Sequence, residues 1–170
     1  MATFDLEYAR QVIDAEARAI SSMLPVVDVS FDKACDWLFH CQGSCIVSGI
    51  GKAGIIGQKI SATLASTGTP SHFLHPAEAV HGDLGRLRQD DIVVVLSYGG
   101  ETDEVTRLIN LVKSLQIRLI AITSDLDSTL SQHSDITLCM GELHEACPLG
   151  VAPSVSTTCM LALGDALALT

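Results

Sequence analysis

The sequence predicts an α/β protein, a three-layer αβα sandwich around a five-stranded parallel sheet. Five short runs are apolar and β-branched, helical stretches separate several of them, and loops rich in glycine, histidine or hydroxyls follow them. Strands that are apolar on both faces and alternate with helices are typical of parallel sheets covered on both sides. Because ligands of such sheets bind beyond the carboxyl ends of the strands, we expect the functional residues in those loops.

The predicted elements follow one another in a simple order. Two amphipathic helices come first, over 5–24 and 30–40, and Pro25 ends the first one. The predicted strands cover 44–49, 71–74, 91–97, 117–123 and 135–140. Helices are predicted between strands or after them over 53–66, 102–115 and 127–133. A last helix begins near Val155.

The composition excludes several classes of partner. Twenty acidic residues outnumber ten lysines and arginines, for a formal net charge of −10. Such a surface repels nucleic acid and anionic membranes, and no uncharged apolar run reaches the length of about 18 residues that suits a membrane span. It also repels a phosphorylated ligand at long range. Any phosphate site must therefore be local, built from backbone N–H groups, hydroxyls and a helix N-terminus.

The six cysteines contain no Cys-x-x-Cys pair, and no signal peptide precedes them. Several lie in apolar runs, where a free cysteine behaves as a small hydrophobe. We therefore expect reduced thiols and a cytoplasmic location. Cys147 lies close to Glu145, but nothing in the sequence marks it as an activated nucleophile.

The loop after the first predicted strand, GIGKAGIIG, has the spacing G-x-G-x-x-G. Its glycines let the backbone approach a ligand closely. The acidic residue of a dinucleotide site is missing after the next strand, and the pattern is not that of a Walker loop. The segment is either a ligand-binding turn or a tight turn that exposes Lys52.

The loop after the third predicted strand, SYGGETDEV, combines hydroxyls, glycines and a helix start. Ser97, Thr102 and the first-turn N–H groups are suited to hold a phosphate. Thr102 is also suited to cap the helix, and both roles are compatible. Glu101, Asp103 and Glu104 lie where any carboxylate is favoured by roughly 0.3–1 kcal/mol, so acidity alone selects none of them.

Three histidines, His72, His75 and His81, lie in and after the second predicted strand. Their spacing matches no closed Cys/His zinc site. His81 is therefore either a catalytic residue or an ordinary polar residue of a loop. The alternatives are a zinc site and adventitious metal binding by the three imidazoles.

Taken together, GIGKAGIIGQKISATLASTGTPSHFLHPAEAVHGDLG, SYGGETDEV and HEACPLGVAPSVSTT resemble the SIS (sugar isomerase) domain of the arabinose 5-phosphate isomerase family. The resemblance extends from about residue 5 and implies a flavodoxin-like fold. We expect residues 1–170 to form one SIS domain, with N-terminal helices over about 1–40 and without CBS modules.

The family interconverts D-ribulose 5-phosphate and D-arabinose 5-phosphate, supplying the precursor of the lipopolysaccharide sugar Kdo. The resemblance implies an aldose–ketose isomerase that works through an enediol, binds a sugar phosphate, needs no cofactor or metal, and forms a homotetramer with sites at subunit junctions. The alternatives are an isomerase of another ketose phosphate, such as a hexulose 6-phosphate, and a non-catalytic sugar-phosphate-binding module. A non-catalytic module of this kind would be expected beside a basic DNA-binding segment, and the acidic N-terminal helices do not provide one.

Residue by residue, the resemblance places the catalytic groups of the family on Lys52, His81, Glu104 and Glu145. We assign Lys52 as the electrophile, one of the two glutamates as the base, and His81 as the acid–base group of ring opening. The long connection that carries His81 also suggests that Lys52 and His81 of one site come from different chains. The residues expected to bind phosphate or substrate are Gly51, Ser66, Thr67, His75, Ser97, Gly99, Gly100 and Thr102.

The sequence departs from the family in its phosphate loop, which usually reads Ser-Asn-Ser-Gly-Glu-Ser. Here Tyr98 and Gly99 replace the middle pair, so one hydroxyl is lost and phosphate affinity or the exact substrate is affected. By the resemblance, a second family histidine in a Ser-His-Pro-Gly-Gly segment, and the two CBS modules of many members, would lie beyond Thr170.

Overall fold

The structure is a computed structural model that describes residues 4–170, apart from the side chain of Leu84. Its strands are β1 (Cys45–Gly49), β2 (Ser71–Phe73), β3 (Ile92–Leu96), β4 (Arg118–Thr123) and β5 (Ile136–Cys139). All neighbouring pairs are parallel, and the order across the sheet is β2-β1-β3-β4-β5. This is the order of flavodoxin-like folds. The predicted fold class is confirmed.

The helices are α1 (Leu6–Ser22), α2 (Val29–Phe39), α3 (Gly51–Ser66), α4 (Pro76–Val80), α5 (Asp103–Ser114), α6 (Thr129–His133) and α7 (Val155–Leu169). Every helix expected from the sequence is present. The short α4 and two 3-10 turns, Leu24–Val26 and Asp83–Arg86, were not expected, because elements of three to five residues are too short to show an apolar period. Within residues 4–170, no helix is long and apolar enough to cross a membrane.

The sheet separates two apolar clusters. Neighbouring side chains of a strand point to opposite faces. Val93 and Val95 therefore join one cluster with residues of α5, whereas Ile92, Val94 and Leu96 join the other with residues of α2, α3 and α7. All five residues of β3 are buried. This two-sided burial explains why the strands read as continuous apolar runs.

Close packing joins α3 and α7 on one face of the sheet. A Cβ on Gly164 of α7 would lie 2.2 Å from Cδ1 and 2.4 Å from Cγ1 of Ile60 in α3. Only glycine lets the two helices approach at this point, since the buried Ile60 side chain fills the space. The contact fixes the two helices relative to each other, and both begin at the carboxyl edge of the sheet.

We expect Gly164→Ala to lower the free energy of unfolding by about 1–2 kcal/mol, because overpacking outweighs the higher helix propensity of alanine. In an Ile60→Ala background the three atoms nearest to the added Cβ are gone, and we expect the same substitution to be neutral or stabilising. Urea denaturation of the four proteins measures this coupling. Equal destabilisation in both backgrounds would contradict the packing.

Candidate active site

A cavity of about 230 Å³ opens at the carboxyl edge of the sheet. Its wall includes Lys52 from α3, then Ser97, Tyr98 and Thr102 from the loop between β3 and α5, and Ser156 from α7. The crossover connections of a parallel sheet bring these distant segments to one edge. The cavity therefore lies where open α/β sheets bind their ligands.

Three helix N-termini meet at this cavity. The N-cap residues Ile50 of α3 and Thr102 of α5 make no side-chain capping hydrogen bond. The third N-terminus, that of α7, is bound by the carboxylate of Glu145. Because unpaired N–H groups and the helix dipole give an N-terminus partial positive charge, the cavity favours an anion despite the net charge of −10.

The loop of residues 97–102 presents its hydroxyls to the cavity. Ser97 Oγ accepts a hydrogen bond from Gly100 N at 3.2 Å and lies 3.5 Å from Thr102 Oγ1. Gly100 has φ +69° and passes so close to Ser128 that a Cβ would lie 2.4 Å from its Oγ, which requires glycine. Gly99 borders open space and has no such requirement. The loop is thus a rigid turn whose hydroxyls and first-turn N–H groups face the ligand space.

Lys52 lies in the first turn of α3, with an exposed side chain on the cavity wall. None of the ion pairs within residues 4–170 involves it. Gly51 turns the chain into the helix with φ +59°, while Gly54 packs so tightly that a Cβ would lie 2.6 Å from Gly49 O. The glycine-rich segment therefore builds a tight turn and holds the lysine ammonium at the cavity.

The carboxylate of Glu145 is committed to the start of α7. Its Oε2 accepts hydrogen bonds from Ser154 N at 2.7 Å and Val155 N at 2.8 Å, and its Oε1 accepts one from Ser156 N at 3.2 Å. Burial raises the pKa of Glu145, but hydrogen bonds from Ser156, Ser154 and Val155 outweigh it, so the pKa lies below its usual value. This half-buried residue stays ionised at neutral pH.

The acidic residues at the start of α5 differ in their contacts. Glu101 accepts hydrogen bonds from Thr129 N at 2.5 Å and Thr129 Oγ1 at 2.8 Å, and these bonds lower its pKa. It serves the N-terminus of α6. Glu104 is half-buried in the first turn of α5, and no hydrogen bond of its carboxylate occurs within residues 4–170. Neither residue lines the cavity, although Thr102 and Val105, which flank Glu104, do.

The two histidines predicted for the site lie outside the cavity wall of this chain. His75 is the N-cap of α4, and its Nδ1 accepts the N–H of Ala77 at 3.2 Å. His81 follows as the C-cap of α4, with an exposed side chain. The structure therefore assigns His75 a capping contact, and His81 is not among the residues that line the cavity with Lys52.

The binding role expected for Ser66 and Thr67 stays a prediction, because their place in a single chain is remote from the cavity. Both stand at the carboxyl end of α3, a 16-residue helix that spans about 24 Å. Their hydroxyls donate to carbonyls of the same helix, those of Ala62 and Thr63. Within one chain they cannot contact a ligand at the opposite end of α3.

The zinc alternative finds no support in the geometry. No group of three His, Cys, Asp or Glu side chains is arranged to hold a metal ion in the part of the chain that the structure describes. The Nε2 of His72 is buried without a hydrogen-bond partner in the described residues. Burial, followed by the charge of Arg86, lowers the pKa of His72. It is a core-edge histidine of β2.

The six cysteines are free thiols, as expected. Cys147 differs from an ordinary packed thiol, because N–H groups of Ala152, Leu149 and Val151 surround it and lower its pKa. The sequence showed no activating group beside Cys147, since these donors belong to the backbone of a loop that turns around the sulfur.

Sequence reasoning missed the α7 wall of the cavity. Pro153, Ser156 and Thr157 line it, and none of them was assigned a role. The signal was present, because this segment follows β5 at the same sheet edge as the other loops. Tyr98 was noted only as a departure from the family, although its side chain forms part of the wall.

Fold and cavity define a flavodoxin-like α/β domain with an anion-favouring site at the carboxyl edge of its sheet. Residues 38–170 match the SIS domain. The chain belongs to the SIS-domain family, and the resemblance seen in the sequence is confirmed. It is 45% identical over 175 residues to the arabinose 5-phosphate isomerase KdsD of Yersinia pestis, covering 99% of this chain and 53% of that protein. The chain thus spans about half the length of the curated relatives it matches.

Two solved structures have the same fold at substantial identity. The E. coli CFT073 protein c3406, in complex with arabinose 5-phosphate, superposes with a TM-score of 0.90 at 39% identity, covering 99% of this chain and 90% of that one. A putative phosphosugar isomerase involved in capsule formation from Bacteroides fragilis NCTC 9343 has a TM-score of 0.91 at 38% identity, with coverages of 96% and 88%.

The contacts of Glu145 predict a pH-dependent contribution to stability. Glu145→Gln keeps an acceptor but loses the charge on the α7 N-terminus, so we expect about 1 kcal/mol less unfolding free energy at pH 7. Because the folded-state pKa of Glu145 is lowered, its contribution is present above the unfolded-state pKa of about 4.3 and lost as the pH falls through the folded value.

Urea denaturation at pH 7 and at decreasing pH measures this difference. The matched control is Glu142→Gln, an exposed glutamate of the same loop, which we expect to be neutral. A Glu145→Gln deficit that grows as the pH falls would contradict the assignment.

Proposed function

We propose that this chain is the isomerase domain of an enzyme that interconverts D-ribulose 5-phosphate and D-arabinose 5-phosphate. The observation that carries the proposal is the cavity itself, where Lys52 and the uncapped N-termini of α3 and α5 favour an anion. Its support from relatives is the 45% identity to a protein named arabinose 5-phosphate isomerase and the 39% identity to a protein solved with arabinose 5-phosphate.

In this proposal the phosphate binds at the loop of residues 97–102. Ser97 and Thr102 donate their hydroxyls, and the first-turn N–H groups of α5 supply the rest of the cradle. Gly99 provides backbone only, in place of the family's second loop serine. The phosphate anchors the sugar so that its C1 and C2 lie toward Lys52.

The chemistry moves one proton between C1 and C2 of the open-chain sugar. A base removes the proton from the carbon beside the carbonyl, and an enediolate forms. A proton then passes from the neighbouring hydroxyl oxygen to the former carbonyl oxygen, and the first proton returns to the former carbonyl carbon. The Lys52 ammonium stabilises the developing oxyanion. We assign Glu104 as the base, because it lies between Thr102 and Val105 of the cavity wall, whereas the Glu145 carboxylate is engaged by N–H groups at the start of α7. Glu145 then holds the α7 wall in place.

These steps use only groups of the protein, so we propose that the reaction requires no metal or other cofactor. Ring opening of the cyclic sugar requires an acid–base group, the role proposed for His81. In a bacterial cytoplasm the product would enter lipopolysaccharide synthesis through Kdo, as it does in the family.

We further propose that the chain works as a homotetramer in which His81 reaches the site of a neighbouring subunit. The exposed His81 lies outside the cavity of its own chain. Three large apolar side chains in or just before α1 are exposed: Phe4 at 85%, Leu6 at 67% and Ile13 at 70%. Such apolar surface is typical of subunit interfaces.

We also propose that the N-terminal helices and the matched region form one domain over residues 1–170. The family match begins at residue 38, near the end of α2. However, α1 packs against α7, and Tyr8 of α1 donates a hydrogen bond to Ala146 O.

The direct test is to incubate the protein with ribulose 5-phosphate and assay for arabinose 5-phosphate. We expect turnover that survives exhaustive chelation, and protection against thermal unfolding by arabinose 5-phosphate but not by arabinose. Ser97→Ala should raise KM roughly tenfold by removing a phosphate contact. A hexulose 6-phosphate in the same assay tests the alternative substrate.

Three results would count against these assignments. Equal protection by arabinose would contradict the role of the phosphate as anchor. Activity that is lost on chelation and restored by one metal would exclude the metal-free scheme. Turnover of the hexulose 6-phosphate alone would show that the proposed substrate is wrong.

The shared site is tested by co-expressing Lys52→Ala with His81→Ala chains. We expect each variant alone to be nearly inactive, and the mixed oligomer to regain part of the activity, because some junctions combine an intact Lys52 with an intact His81. The control mixes Lys52→Ala with the double variant, which forms no intact site. A mixture no more active than its parents would show that each site is built within one chain.

A further inference from the structure

Both tyrosines of the chain hold the segment that carries Glu145. Tyr98 Oη donates to Leu143 O at 2.9 Å and accepts from Leu143 N at 2.8 Å. Tyr8 Oη donates to Ala146 O at 2.5 Å. The two anchors lie two residues before Glu145 and one residue after it.

Tyr98 is itself firmly fixed at the ligand loop. Its carbonyl accepts hydrogen bonds from Thr123 Oγ1 at 2.9 Å, Ser124 N at 2.9 Å and Ser124 Oγ at 2.8 Å, which tie its backbone to the end of β4. Its half-buried side chain forms part of the cavity wall next to Ser97. Tyr98 thus belongs to the proposed phosphate loop and also contacts the segment of Glu145.

The segment needs such anchors because it lacks regular structure. The residues between β5 and α7 form no helix or strand. Within this long connection, the Glu145 carboxylate reaches forward to the N–H groups of Ser154, Val155 and Ser156. Those contacts depend on where the backbone of Glu145 lies, and the tyrosine hydroxyls set that position on both sides.

We propose that Tyr98, assisted by Tyr8, is a positioning residue that couples the phosphate loop to Glu145 and the α7 wall of the site. The inference rests on the proposed isomerase function and deepens it. Tyr98 stands where the family usually has asparagine, and its hydroxyl forms hydrogen bonds with the backbone of Leu143 rather than with phosphate. Tyr98 therefore affects the alignment of the bound sugar more than its affinity.

The test compares Tyr98→Phe and Tyr8→Phe with Ser71→Ala. The control loses a half-buried hydroxyl that donates to Cys45 O at 2.7 Å, near the opposite edge of the sheet. In the two tyrosine variants we expect faster amide hydrogen exchange across residues 142–147, and in the control no change there. Tyr8→Phe removes one hydrogen bond of a partly exposed side chain. This variant therefore tests the anchoring of the segment even if Tyr98→Phe folds poorly.

Kinetics provide the second readout. Tyr98→Phe should lower kcat about tenfold, because misalignment within the site costs rate, while KM changes less than about twofold. Unchanged exchange at 142–147, unchanged kcat, or a rise in KM with kcat intact would each overturn the inference. If the parent protein turns over no sugar phosphate, the proposed function fails, and the exchange experiment alone decides whether the tyrosines position the segment.

Discussion

The site depends on the meeting of three helix N-termini at one edge of a parallel sheet. Every strand of this sheet runs in the same direction, so the helices that follow β1, β3 and β5 all begin at its carboxyl edge. Their partial positive charges add in one place and require negative partners. The protein supplies one partner, the carboxylate of Glu145 on α7, and leaves the N-termini of α3 and α5 without side-chain caps.

This arrangement reconciles an acidic protein with the anionic ligand proposed for it. The net charge of −10 opposes the approach of a phosphate at long range. At the edge itself, the carboxylates of Glu101 and Glu145 accept hydrogen bonds from N–H groups at the starts of α6 and α7. Their negative charges are therefore partly compensated by these helix N-termini. The cavity wall includes Lys52 and the open N-termini of α3 and α5, and no acidic side chain among the described residues lines it.

The geometry of the wall depends on contacts between connections rather than on the sheet. Gly164 against Ile60 fixes α7 relative to α3, and the tyrosine hydroxyls fix the segment before α7. Tyr98 replaces a residue of the family's phosphate loop and adds a contact to Leu143 in the segment that carries Glu145. A change in the ligand loop is thereby linked to the segment that carries Glu145.

The sequence by itself determined the fold class, the order of the longer elements and the family, because two-sided apolar strands, helical periods and loop motifs are local patterns. It also placed Lys52, Ser97 and Thr102 at one edge, since the direction of parallel strands is enough for that. Only the tertiary structure decided which acidic side chains serve helix ends and that Tyr98 reaches Leu143. Those facts depend on contacts between segments far apart in the chain, and such contacts leave no local pattern to read.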